Sequence, residues 1–139
     1  MVIWALTLLC LAVGLEALTE RPFLATRFGA LFGLFLGGRR LDVYLYEVPA
    51  LPAFGFRAAA QTWGETVLVT PELIRHPHRA ATLAHEACHV AQYRRYTSFG
   101  FWLLYLYEWL IGLTRTRDPF QAYFEISLEK EARIAQSSA

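Results

Sequence analysis

The segment His85-Glu86-Ala87-Cys88-His89 is the part of this 139-residue chain with the clearest chemical potential. On a helix, residues four apart lie one turn above each other, so His85 and His89 present two ring nitrogens to one point. Two imidazoles converging in this way suit a zinc ion, which takes nitrogen ligands at about 2.0–2.1 Å. Glu86 would flank an open coordination position. Zinc lowers the pKa of a water there towards ~7, and a carboxylate beside it can take the proton and pass it to a leaving amine. A chance His-Glu-x-x-His arises on the order of once in a few hundred proteins. Ala80, Ala81, Leu83, Ala84, Ala87 and Val90 supply the helical, apolar setting the pattern requires. The competing reading is an amphipathic surface helix with two incidental histidines.

A zinc site needs a third ligand and, for catalysis, an open fourth position. No histidine follows His89, so the third ligand is expected among Glu108, Asp118, Glu125, Glu129 and Glu131. Glu125 and Glu129 are one turn apart on an expected helix from Phe120 to Gln136, and either could aim at the metal. Glu131 points about 200° away from Glu129 and cannot share its direction. His76 and His78 sit around Pro77, where a proline-interrupted loop gives them no fixed aim. Cys88 reads as a small buried filler. Tyr93, Tyr96, Tyr105, Tyr107 and Tyr123 could include a donor to an oxyanion, with Tyr123 the first choice.

These residues need a scaffold. Thr70-Pro71-Glu72 has the cap and first-turn proline of a helix start, and a longer helix is expected from about His78 to Tyr96. Upstream, Leu41 to Val48 alternates and is rich in Val and Tyr, as in a strand. Phe54–Ala60 and Glu65–Thr70 read as two more short strands joined through Gln61-Thr62-Trp63-Gly64. Leu24, Phe28, Leu31, Phe32 and Phe35 have helical spacing, so a buried or membrane-surface helix is expected before Gly37-Gly38. The outline is α+β: a small sheet of about three strands between helices.

The length fits one domain. A hydrophobic fraction of 55% with 18% charged residues excludes a disordered chain. A net charge of +1 gives no electrostatic case for nucleic acid. Residues 1–20 form an apolar N-terminal helix by expectation, with 21–139 as the folded domain. Val2 to Leu15 is uninterrupted by charge, and basic residues follow it rather than precede it. A short membrane anchor with the domain on the cytoplasmic side is the leading expectation; a core helix and a cleaved signal are the alternatives.

His85–His89, followed by Glu129-Lys130-Glu131-Ala132, resembles the gluzincin metallopeptidases. The likeness is closest to minimal bacterial zinc metallopeptidase-like domains and more distant to membrane-bound peptidases of the CAAX prenyl protease group. It spans roughly residues 41–136 and implies a zincin-like fold. It also implies Zn2+ held by His85, His89 and Glu129, with Glu125 as fallback, and Glu86 as the catalytic base. The implied substrate is a peptide or protein, bound by addition to an edge strand. Many relatives place Asp after the alanine, where it steadies a zinc-ligating histidine. Arg133 stands there instead, so the outer shell must be built differently. A catalytically silent zinc-binding module and a membrane-anchored interaction protein are the rival functions.

Overall fold

The computed structural model describes residues 30–36, 39–49, 51–52 and 57–139. The expected N-terminal helix, its anchor role and Cys10 lie outside these residues. No helix among the described residues is long and apolar enough to cross a membrane.

Strands β1 (Ala30–Leu36), β2 (Arg39–Glu47), β5 (Ala60–Trp63) and β6 (Thr66–Val69) form one mixed sheet in the order β1-β2-β6-β5. β2 and β6 fall on two of the three expected strands, while β5 takes residues 61–63 that were expected as a turn. The expected third strand, Phe54–Ala60, is described only over residues 57–60. β2 runs parallel to β6 and β6 antiparallel to β5. β1 adds a fourth strand, antiparallel to β2, where a helix was expected. The run ALFGLFL explains the difference. A short continuous apolar stretch reads equally as buried helix or buried strand, and ladder pairing with β2 decides it. β3 (Leu51–Pro52) and β4 (Arg57–Ala58) form a separate two-stranded ladder.

The β5–β6 turn also lies further along the chain than expected. Trp63 pairs with Thr66, leaving Gly64-Glu65 as a two-residue loop. Gly64 has φ 64° while Glu65 keeps a negative φ, the type II′ pattern that matches strand twist.

Helix α1 (Pro71–Arg75) starts from an extended Thr70 with Pro71 in its first turn, as the sequence indicates. Helix α2 (Arg79–Thr116) consists of two arms that meet at Thr97, whose φ of 63° and ψ of 167° are non-helical, and its first arm is the helix expected from about His78 to Tyr96. The Thr97 hydroxyl accepts from the Gly100 amide at 3.4 Å, so this residue caps the second arm. The first arm packs Ala87 and Val90 on Leu34, Val43, Val67 and Val69 of the sheet. The second arm packs Phe101, Tyr105 and Trp109 on two C-terminal helices through Ala122, Ile126 and Leu128.

Those helices are α3 (Pro119–Glu125) and α4 (Ser127–Ser137), where one continuous helix was expected. Asp118 caps α3, accepting from the Phe120 amide at 2.9 Å. The chain then breaks at Ile126, which has ψ 128°. Glu108 accepts from the Ser127 amide and hydroxyl, placing a carboxylate at the start of α4, where the helix dipole favours one.

Candidate metal centre

The long helix and the C-terminal helix bring His85, His89 and Glu129 together in a buried triad between the two cores. His85 Nε2 lies 3.2 Å from Glu129 Oε2 and His89 Nε2 lies 3.3 Å from Glu129 Oε1. The two Nε2 atoms are 3.1 Å apart. Ligands at about 2.0–2.1 Å around a tetrahedral ion stand about 3.3 Å from one another, a spacing the two Nε2 atoms and each histidine–carboxylate contact approach, with the two histidines facing different oxygens of Glu129. The side chains are 13%, 7% and 4% exposed for His85, His89 and Glu129.

Proton placement supports the same reading. His85 Nδ1 faces Gln136 Oε1 at 3.2 Å, and His89 Nδ1 faces Gln92 Oε1 at 2.8 Å. A carbonyl oxygen only accepts, so each Nδ1 carries a hydrogen and each ring turns its Nε2 inward. Two Nε2 atoms and a carboxylate then converge, an arrangement that calls for a proton or a cation. Burial disfavours charge on His89, but the hydrogen bond and charge of Glu129 outweigh it. With further help from Glu86 and Gln92, they carry its pKa up to about 9. Burial likewise disfavours the Glu129 carboxylate. The histidine hydrogen bonds prevail and hold it far below the usual carboxylate range.

Two phenols steady Glu129. Tyr105 donates to Oε1 at 2.8 Å and Tyr123 to Oε2 at 2.9 Å. Burial, then the Glu129 charge, raises both phenol pKa values, so both remain donors. Glu86 is 5% exposed and accepts from the Thr62 hydroxyl of β5 at 2.6 Å. Its charge is near enough to act on His89 and Tyr123.

The remaining candidate acids are engaged elsewhere. Asp118 and Glu108 cap helices, and Glu125 pairs with Arg115 on the far side of the Ile126 break. Glu125 and Glu129 therefore do not share a helix face. Glu131 accepts from Gln92 and lies 3.6 Å from Arg95. Arg133 donates to the Phe124 carbonyl and sits 4.8 Å over the Phe124 ring, so it serves the α3–α4 junction. His76 and His78 are exposed, with the His78 amide donating to His76 Nδ1 at 3.1 Å. Cys88 is buried, and burial, then Glu131, pushes its thiol up to about 11.

Sequence reasoning missed Gln92, Gln136 and Thr62, and passed over Tyr105 in favour of Tyr123. The available signal was spacing: Gln92 stands one turn beyond His89 on the same helix face. The fold and site thus define an α+β chain carrying a buried His2Glu group that can hold a metal ion, consistent with a zinc site of the HExxH type. Compared with protein-family models, curated proteins and solved structures, the chain matches none.

Proposed function

We propose that this chain is a small zinc-dependent metallopeptidase. The observation that carries the reading is the convergence of His85, His89 and Glu129 in one group that can hold a metal ion, with Glu86 between the two histidines in sequence. When bound, zinc would supply Lewis acidity and make a nearby water easier to deprotonate. Thr62 holds Glu86 Oε2, and Glu86 Oε1 is assigned the proton of the attacking water. The water oxygen adds to the peptide carbonyl carbon, the C–N bond breaks, and Glu86 delivers its proton to the departing amine. Tyr123, less buried than Tyr105, gives its one hydroxyl proton to Glu129 Oε2 and so serves to position that carboxylate. A peptide substrate would lie along β5, the last strand in the order of the four-stranded sheet. β6 is flanked by β2 and β5 and offers no edge for such addition.

Glu86→Gln is the deciding variant. It should keep zinc and lose all hydrolysis of a peptide library; retained cleavage would remove Glu86 from the mechanism. Burial of all three triad side chains favours one second reading, a zinc-binding module without turnover. Full zinc loading with no cleavage by the unaltered protein would select it.

The same proposal places the chain at a membrane surface, facing the cytoplasm. Phe99, Leu103, Tyr107, Leu110 and Ile111 form an exposed stripe on the second arm of α2. Arg94 and Arg95 precede the stripe, while Arg115 and Arg117 follow it. Such a face suits the interface of an anionic bilayer, with the apolar run of residues 2–15 as a second attachment. Flotation with anionic vesicles should weaken on Leu103→Ser with Tyr107→Ser, and unchanged flotation would contradict this placement.

A further inference from the structure

Arg133 leaves the histidines without the expected neighbouring carboxylate, and a buried amide takes that place. Gln92 is 1% exposed and follows His89 by one turn of α2. Both of its N–H bonds are committed to acceptors: the Leu128 carbonyl at 3.0 Å and Glu131 Oε2 at 2.8 Å. Cys88 Sγ is a weaker third contact at 3.6 Å. The amide therefore cannot flip, and its oxygen must face His89 Nδ1. That contact fixes a hydrogen on Nδ1 and aims Nε2 at Glu129. The same amide grips the carbonyl of Leu128, the residue immediately before Glu129. A single side chain thus governs the tautomer of one candidate ligand and the placement of another.

We propose that Gln92 is the positioning residue that prepares the triad for a divalent cation, a role resting on the reading of His85, His89 and Glu129 as the ligands. It links α2 to α4 across the site, with Glu131 holding the amide from behind and Arg95 near Glu131 at the surface. A purely structural amide would support packing without controlling His89. The two roles separate by measurement.

Zinc affinity, read by competition with a chromogenic chelator, should fall about 10–100-fold in Gln92→Leu. In long-range nitrogen spectra of the zinc-loaded protein, the His89 Nδ1 proton should be slow to exchange. In Gln92→Leu it should exchange readily with water. The exchanged pair Q92E with E131Q places a carboxylate against His89 and an amide behind it. It should recover affinity to within about fivefold of the unaltered protein and restore the protected proton. Affinity and proton protection unchanged in Gln92→Leu would overturn the proposal, as would an exchanged pair no better than Gln92→Leu. If Gln92→Leu does not fold, the exchanged pair decides alone: tight zinc supports the role and weak zinc overturns it. An unaltered protein that takes up no zinc would instead remove the ligand reading and this role with it.

Discussion

Zinc uptake by this protein should release a proton, because His89 holds one where the cation would bind. In the metal-free protein Glu129 keeps His89 charged up to about pH 9, well above the ordinary 6.5. At pH 7 the ring is almost wholly protonated, and baring Nε2 costs work on the order of 3 kcal/mol. The apparent zinc affinity should therefore rise about 50-fold from pH 7 to 9, with log K climbing about one unit per pH unit before levelling. Calorimetric titration at pH 7.5 in buffers of different ionisation enthalpy should give close to one proton released per zinc from this ring. A flat affinity profile above pH 7, with no proton release, would refute the pairing of His89 with Glu129. The same linkage sets the stability of the chelated protein. A histidine pKa raised on folding stabilises fully below 6.5, and that contribution is lost as pH rises to about 9, on the order of 3 kcal/mol. The melting temperature of chelated protein should fall across that window, while zinc-loaded protein holds steady.

Three further outcomes follow from the scaffold. Thr97 has a φ of 63°, a backbone region costly for a β-branched residue, so Thr97→Gly should stabilise by about 1 kcal/mol and raise the melting temperature by about 3 °C. A fall in melting temperature would mean the cap outweighs the strain. A Cβ on Gly112 would meet Ala122 backbone and side-chain atoms at 3.1–3.3 Å, so Gly112→Ala should destabilise by about 1–3 kcal/mol in a denaturant titration. The Cys88 thiol, buried and pushed up to about 11, should resist alkylation at pH 8 until the protein unfolds. Rapid labelling of the native chain would show that this region opens locally.

What could be read from the residues was local. The His85–His89 spacing, the Thr70-Pro71 helix start and the alternating β2 strand are written in neighbouring side chains, and the structure follows them. β1 was misread because seven apolar residues carry no period that separates strand from helix, and its partner β2 supplies the distinction. The Ile126 break has no Pro or Gly to announce it. Its determinants are tertiary, since Glu108 on a different helix receives the first amide of α4. That break is also what separates Glu125 from Glu129. Tyr105 was hidden in the greasy stretch of residues 101–113, where a phenol aimed at a buried acid resembles core packing until the Thr97 bend is known. Gln92 was legible only as spacing; its four partners come from two helices and become visible together in the fold.

The central claim is that His85, His89 and Glu129 share one cation. The most direct measurement is zinc content per chain, by elemental analysis after dialysis, for the unaltered protein, Glu129→Ala and Glu125→Ala. One equivalent in the unaltered protein and in Glu125→Ala, with near-complete loss in Glu129→Ala, is the expected pattern. Equal zinc in all three, or none in the unaltered protein, would contradict it.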